Sequence, residues 1–136
     1  MATFNKFNSF VEALAEKAHN LGSDTLTVAL TAAAAAPVAT NTVLANLTEV
    51  TYTYCSTRAI TTTSSSQTSG TYSLVLEDLV LTASGGTVGP FQYVVIYNDS
   101  ATSDELIGWY DYGSEITLAA GETLTINFGA TTLTLA

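Results

Sequence analysis

The sequence predicts a mainly β protein: an antiparallel β-sandwich or jelly-roll-like barrel of about eight strands, preceded by one amphipathic α-helix. Three observations lead to this fold class. Apolar and polar side chains alternate along much of the chain, the alternating segments are rich in Val, Ile, Thr and Tyr, and turn residues separate them at short intervals. Because 136 residues are enough to build one core, we expect a single domain over residues 1–136.

The N-terminal segment from about Asn8 to Asn20 predicts the helix. Its apolar residues recur at three- and four-residue spacing and form one stripe, which consists of Phe7, Phe10, Val11, Leu14, Ala18 and Leu21. Asn8 or Ser9 suits the start of the helix, and Gly22 suits its stop. One helix cannot bury a Phe-rich face alone, so we expect this face to lie on the sheet or on a neighbouring subunit.

The β-domain is expected over residues 24–136 and begins with a strand at 24–30, whose threonines should face solvent. The segment Ala32–Ala36, closed by Pro37, is interpreted as a packed connection or an extended arm. A long link with apolar anchors then leads to Leu47. Glu49–Tyr54 alternates again, which predicts another strand.

Strands and turns alternate through the second half of the chain. The hydroxyl-rich stretch Thr61–Gly70 is either a mobile loop or an exposed strand, and both interpretations stay open. Further strands are expected at 72–83 with a break at 77–78, and at 91–97, 106–112, 116–118, 122–128 and 132–135. The 91–97 segment is β-branched or aromatic almost throughout, which is typical of a central strand covered on both faces.

The charge of the chain disfavours two kinds of partner. Three Lys and Arg residues stand against 12 Asp and Glu residues, giving a net charge of -9. Without a basic cluster to neutralise phosphates, we expect no binding of nucleic acid. An acidic chain is repelled by anionic lipid, and no apolar run approaches the roughly 20 residues that span a bilayer, so we expect no membrane partner.

The residues that usually carry chemistry are scarce in this sequence. The single histidine, His19, is expected near the C-terminal end of the helix, where it interacts favourably with the helix dipole. The single cysteine, Cys55, is expected to behave as a small buried apolar side chain. Because no nucleophile has a base beside it, and zinc needs about four Cys or His ligands, we predict a non-enzymatic protein without metal or cofactor.

Two sets of acidic side chains leave calcium binding and glycoside cleavage open as alternatives. The predicted loop 98–105 could ligate calcium through Asn98, Asp99, Asp104 and Glu105, although it lacks the spacing of an EF-hand, and a solvated acidic loop is the ordinary interpretation. The carboxylates that could pair for glycoside cleavage are Glu77, Asp78, Asp111 and Glu115. Any acidic protein offers such pairs, so they specify no reaction.

Five segments together carry a resemblance to a known group of proteins. They are FNSFVEALAEKAHNL at 7–21, TLTVALT at 25–31, APVATN at 36–41, GPFQYVVIYN at 89–98 and LIGWYDYG at 106–113. In these segments the sequence resembles small virion-associated proteins of tailed bacteriophages and prophages. The resemblance covers most of the chain except Thr61–Gly70, and it contains no chemical motif.

The resemblance implies a structural role, foremost that of a capsid decoration, or cement, protein bound to the outside of the major capsid protein shell. Such proteins are small β-rich modules and often trimers. A homo-oligomer on the virion surface, made in the cytoplasm of the bacterial host, is therefore implied. Candidate contacts with the capsid lie in the N-terminal segment and in the connection after the first long strand, and they are Phe4, Phe7, Ala36, Pro37 and Val38.

Two alternatives stay open at this point. One is a tail, neck or fibre-associated structural protein of the same kind of virus. The other is a carbohydrate-binding β-module that uses Trp109 and surface tyrosines. The chain up to Arg58 carries four acids and three bases, and the rest carries eight acids and no base. For a decoration protein, this division suggests that the helix and arm face the shell and an acidic β-surface faces solvent.

Overall fold

The computed structural model describes residues 2–136, and it contains one α-helix and ten strands within them. The helix α1 comprises Ser9–Ala15. The strands are β1 (Phe4–Lys6), β2 (Leu26–Thr31), β3 (Ala59–Ile60), β4 (Thr62–Thr68), β5 (Thr71–Leu76), β6 (Leu79–Thr82), β7 (Val88–Asn98), β8 (Leu106–Leu118), β9 (Thr123–Ile126) and β10 (Leu133–Leu135). Short 3-10 turns at Ala33–Ala35 and Leu44–Asn46 interrupt the connection between β2 and β3.

Two layers of antiparallel sheet enclose the main core. One layer is a five-stranded sheet in the order β1-β8-β7-β2-β3. The other layer consists of a three-stranded sheet, β10-β5-β4, and a two-stranded sheet, β6-β9. The prediction of a mainly β, antiparallel fold with one helix is confirmed. Of the two forms that the sequence left open, the closed barrel is ruled out, because the sheets formed by residues 2–136 do not close.

The inner face of the five-stranded sheet packs against both smaller sheets and α1. Leu26, Val28 and Leu30 of β2 alternate toward this core, as period-two strands require. Phe10 reaches the same core from α1 and is fully buried. The helix therefore packs on its own sandwich.

The outer face of the same sheet is covered as well. A second buried cluster contains Phe7, Ala29, Val95, Tyr97 and Leu106. Leu44 and Leu47, from the connection after β2, pack on this cluster. Thr27 and Thr31 are consequently buried, so the prediction of a solvent-facing threonine side on this strand is wrong. The β7 strand at its centre is largely covered on both faces, as predicted.

The helix ends earlier than the apolar stripe predicts. It stops at Ala15, and Lys17 then adopts a φ of +70°. The Ala18 N–H donates to the Ala13 carbonyl at 2.8 Å and the Lys17 N–H donates to the Leu14 carbonyl at 3.3 Å, which together form a Schellman motif. The predicted extension to Asn20 with a stop at Gly22 is therefore wrong. No helix within residues 2–136 has the length and apolar character needed to cross a membrane.

The hydroxyl-rich stretch forms an exposed strand, which decides between the two open interpretations. Most of it is β4, which pairs with β5 through a two-residue turn at Ser69 and Gly70. The φ values of these two residues are +51° and +84°, as a type I′ hairpin turn requires. Glycine suits the second position because it adopts positive φ without steric strain.

Other strand predictions differ in their boundaries. The predicted break at Glu77–Asp78 is confirmed, since it separates β5 from β6. The two strands predicted at 106–112 and 116–118 are one strand, β8. Glu49–Tyr54 contains no strand, so that prediction is wrong. The segment is hydrogen-bonded to β2 at Leu30. The Leu30 carbonyl accepts the Val50 N–H, and the Leu30 N–H donates to the Tyr52 hydroxyl, both at 2.9 Å.

Candidate functional site

The connection after β2 forms an exposed arm beside the outer face of the five-stranded sheet. We define the arm surface as the exposed side chains of Ala33, Ala34, Ala36 and Val38. Val38 is 52% exposed, which is high for a large apolar side chain. The sequence between Thr25 and Thr48 contains no charged residue, so the arm surface is uncharged on a chain with a net charge of -9.

Hydrogen bonds fix the arm along its length. The Glu115 carboxylate, near the end of β8, accepts the Ala33 N–H at 3.1 Å. The Asn41 side-chain carbonyl accepts the Val38 N–H at 2.8 Å. The Asn8 N–H donates to the Ala39 carbonyl at 2.9 Å. Because the arm is ordered in the free protein, binding a partner through it loses little backbone entropy.

The bond between Asn8 and Ala39 brings together the two segments predicted to contact a partner. Val11 lies one helical turn after Asn8 and is 46% exposed, so the start of α1 adds a second large apolar side chain near the arm. The sequence alone contains no sign that these segments, about thirty residues apart, are neighbours.

Three of the five predicted contact residues lie partly or wholly inside the protein. Phe7 is fully buried, and its ring centroid lies 4.6 Å from that of Trp109. Pro37 is buried, and Phe4 is half-buried against Tyr110. In the free chain these three residues shape the fold. The exposed members of the predicted set are Ala36 and Val38.

The carboxylates considered for catalysis hold backbone amides instead. Asp78 accepts the Phe128 N–H at 3.0 Å, and Asp111 accepts the Gly113 N–H at 2.7 Å. The Gln92 amide, and then the Gly113 N–H, lower the pKa of Asp111, because both hydrogen bonds favour the charged form. These contacts give both carboxylates structural roles: Asp78 bonds the segment after β9, and Asp111 bonds the Gly113 backbone within β8.

The aromatic side chains mostly serve the core. Tyr97 and Tyr110 are buried, and burial raises the pKa of Tyr110 to about 12. Trp109 is half-buried against Phe7. Tyr54 is exposed, but its ring covers the Gly86 backbone, where a Cβ atom would collide with it. These positions do not form the open aromatic platform that a sugar-stacking surface needs.

Cys55 is half-buried and forms an isolated bridge with Ala83. Burial raises the pKa of its thiol, while the Arg58 charge acts in the opposite direction. The thiol form therefore predominates at neutral pH, and the side chain is not an activated nucleophile.

His19 lies elsewhere than the sequence predicts. The Schellman turn at Lys17 reverses the chain, and His19 lies beyond α1, is 5% exposed, and packs 5.3 Å from the Phe10 ring. Its Nδ1 atom lies 3.0 Å from the side-chain nitrogen of Asn98. The prediction that His19 sits in the last turn of the helix is therefore wrong.

The Asn98 side chain is also turned into the protein, away from the loop that it begins. Its nitrogen donates to Asp24 Oδ2 at 2.6 Å, and its oxygen accepts the Ser100 N–H at 2.9 Å. Within residues 2–136 no three His, Cys, Asp or Glu side chains are placed to share a metal ion. The calcium site considered for residues 98–105 is thus not assembled, because its first oxygen is bonded to backbone amides.

No family model matches this chain, and neither do any of the curated proteins or solved structures with which it was compared.

Proposed function

We propose that this chain is a non-enzymatic structural protein of a tailed-phage virion, a decoration protein that binds the outside of the major capsid protein shell as a homo-oligomer. Its partner is then another protein, and neither nucleic acid nor membrane. The observation that carries this proposal is the arm surface: exposed, uncharged and fixed by hydrogen bonds on a strongly acidic chain. The sequence resemblance to virion proteins supplies the identity of the partner.

The arm surface suits docking on another protein for three reasons. Alanine side chains allow a partner backbone to approach closely, and Val38 adds apolar area. Removing uncharged side chains from water carries no penalty for desolvating a charge. The order of the arm in the free chain limits the entropy lost on binding.

The area of a typical protein interface indicates how much of the surface of this chain must contact the capsid protein. A stable interface buries about 800 Å² on each partner. The accessible surface of the chain is 6677 Å², so one such interface takes roughly an eighth of it. Three alanines and one valine do not supply this area. The interface must therefore extend to the start of α1, including Val11, which the Asn8–Ala39 bond places beside the arm.

A matched pair of valines tests the proposal. Val38 on the arm and Val80 on β6 are 52% and 50% exposed, and Val80 belongs to the other layer of the sandwich. In co-sedimentation with shells of the encoding phage, Val38→Asp should weaken binding at least about tenfold, because it buries an unpaired charge at the interface. Val80→Asp should bind like the unmodified protein.

Three results would argue against this function. Equal binding by both variants would remove the arm surface from the interface. Sedimentation with isolated tails and not with shells would support the tail or neck alternative. An absence of binding to either would leave no virion role for the chain. Circular dichroism of each variant checks that the fold is retained.

A further inference from the structure

A cleft of about 730 Å³ opens between the segment after α1, the 100–105 loop and the β4–β5 hairpin. Its volume lies within the roughly 300–1,000 Å³ typical of small-molecule sites. The apolar part of the lining includes Leu14 and Leu135. The acidic and basic part of the lining consists of Lys17, His19, Asp24 and Glu105.

The hydrogen bonds of Asn98 fix where the proton of His19 resides. The Asn98 Oδ1 atom accepts two backbone N–H groups, from Ser100 at 2.9 Å and Ala101 at 3.2 Å. Its Nδ2 group must therefore face the other way and donates to both Asp24 and His19 Nδ1. Since His19 Nδ1 accepts a hydrogen bond, the neutral ring carries its proton on Nε2.

The Nε2–H group of His19 is a buried donor with no acceptor among residues 2–136. Glu105 Oε2 is a buried acceptor with no donor in the same part of the chain, and Glu105 is a lining residue of the same cleft. The two groups interact electrostatically, because the charge of Glu105 raises the pKa of His19 against the larger lowering by burial. A buried polar group without a partner is destabilising by about 1–3 kcal/mol, so two at one cleft indicate a place for a polar ligand.

The chemistry of these two groups selects the class of ligand. The ligand must offer an acceptor to His19 Nε2–H and a donor to Glu105 Oε2, and an alcohol hydroxyl does both with one oxygen. An ammonium group lacks the acceptor. A carboxylate or phosphate lacks the donor, and the two carboxylates of the cleft, Asp24 and Glu105, outnumber its one cation, Lys17, so their net charge repels an anion.

We propose that this cleft binds a neutral sugar or polyol, one hydroxyl of which accepts a hydrogen bond from His19 Nε2–H and donates one to the Glu105 carboxylate. The apolar residues of the lining, Leu14 and Leu135, contact the C–H groups of the ligand. This binding activity is independent of docking through the arm surface, so it adds a second, small-molecule partner to the proposed protein partner.

The single histidine of the chain makes the test direct, since an untagged sample yields one set of imidazole signals. Long-range proton–nitrogen NMR should show an Nε2-protonated ring in the free protein. Titration with D-glucose, D-galactose, D-mannose and glycerol in turn should shift the Nε2 signal for at least one probe. Acetamide, which separates its donor and acceptor on two atoms, serves as the comparison ligand.

Two carboxylate variants locate the binding site. Glu105→Gln should weaken the affinity for the bound probe about tenfold or more, because it removes a charged acceptor. Glu77→Gln makes the same charge change at an exposed position outside the cleft lining and should leave the affinity unchanged. The proposal is overturned by a ring protonated on Nδ1, by the failure of every sugar and polyol to bind, by tighter binding of acetamide, or by equal effects of the two variants. All measurements use the isolated chain, so they do not depend on the capsid experiment.

Discussion

Asn98 joins three separate parts of the chain through one fully buried side-chain amide. It lies at the end of β7, bonds the loop that follows, and reaches the segment after α1 through Asp24 and His19. In the sequence it reads as the first polar residue of a loop, because its partners lie 74 and 79 residues away. The sequence could not predict this cluster for the same reason, since no local pattern relates His19 and Asp24 to the 98–105 loop.

The protonation of His19 links the stability of the fold to pH. Burial lowers the pKa of His19 below its ordinary value of 6.5, against the smaller opposing effects of Glu105 and then Asp24. The unfolded chain therefore takes up the proton first as pH falls. The free energy of unfolding should decrease from pH 6.5 down to the lowered pKa, by at most about 1.4 kcal/mol per pH unit.

Urea unfolding between about pH 8 and pH 5, compared with His19→Gln, measures this contribution. The groups that face the imidazole, Asp24 and Glu105, and Lys17 at the same cleft are unchanged in the variant, so the difference between the two curves isolates His19. Parallel curves over this range would contradict the prediction.

The backbone of Lys17 is strained at the end of α1. Its φ of +70° lies in the left-handed region, where a residue with a Cβ atom is less stable than glycine by about 1 kcal/mol. Lys17→Gly should raise the free energy of unfolding by about 0.5–1 kcal/mol. Lys17→Ala removes the charge and keeps the Cβ atom, so it should not stabilise; equal melting temperatures for the two variants would refute the explanation.

At the scale of elements, sequence patterns succeeded where the signal lies within the element itself. The 91–97 segment lies within strand β7, and the 72–83 segment breaks at the predicted place. It failed where the partner lies far away in sequence. The threonines of β2 alternate as on a solvated strand, yet Leu44 and Leu47 of the later connection pack on that face.

Glu49–Tyr54 shows the converse case, in which alternation occurs without a strand. Here Val50 and Tyr52 reach the inner core from a non-regular segment, and the Tyr52 ring lies under the Arg58 guanidinium at 3.6 Å. One aromatic side chain with its hydroxyl bonded to the Leu30 N–H replaces the ladder that a strand would form. An alternation of apolar residues with a period of two indicates which side chains are buried, but it does not show that the backbone pairs with another strand.

Phe10 anchors α1 to the sandwich. It is the one fully buried residue of the helix, so Phe10→Ala should lower the free energy of unfolding by about 3–5 kcal/mol. Val11 is its neighbour on the exposed side, and Val11→Ala should change stability by less than about 0.5 kcal/mol. Chemical denaturation of both variants checks this, and similar losses for the two would contradict the packing of α1.

At the scale of the whole molecule, the division of charge along the chain does not become a division between faces. The five-stranded sheet interleaves β1 and β2, from the part of the chain up to Arg58, with β3, β7 and β8 from the base-free part. Glu115 of β8 holds Ala33 of the arm, and Glu105 faces His19. The two parts of the sequence therefore do not define how the protein is oriented on the shell. The proposed orientation depends instead on the uncharged arm surface, which faces the capsid protein.

The fold class was accessible from the sequence because it depends on local alternation and turns. The candidate docking surface was accessible in part: the arm segment was predicted, and Ala36 and Val38 are exposed on it. Phe7 and Pro37 are not available to a partner: Phe7 belongs to the buried cluster on the outer face of the sheet, and Pro37 is buried in the arm. Amino-acid composition does not distinguish an apolar side chain that packs in the core from an exposed one that binds another protein.

The most direct test of the central claim is an electron cryo-microscopy reconstruction of the phage particle that carries this chain. The proposed function predicts copies of the β-sandwich on the outside of the icosahedral shell, with Val38 and the arm alanines against the capsid protein. Density confined to the tail, or sandwiches on the shell with the arm surface facing solvent, would contradict it.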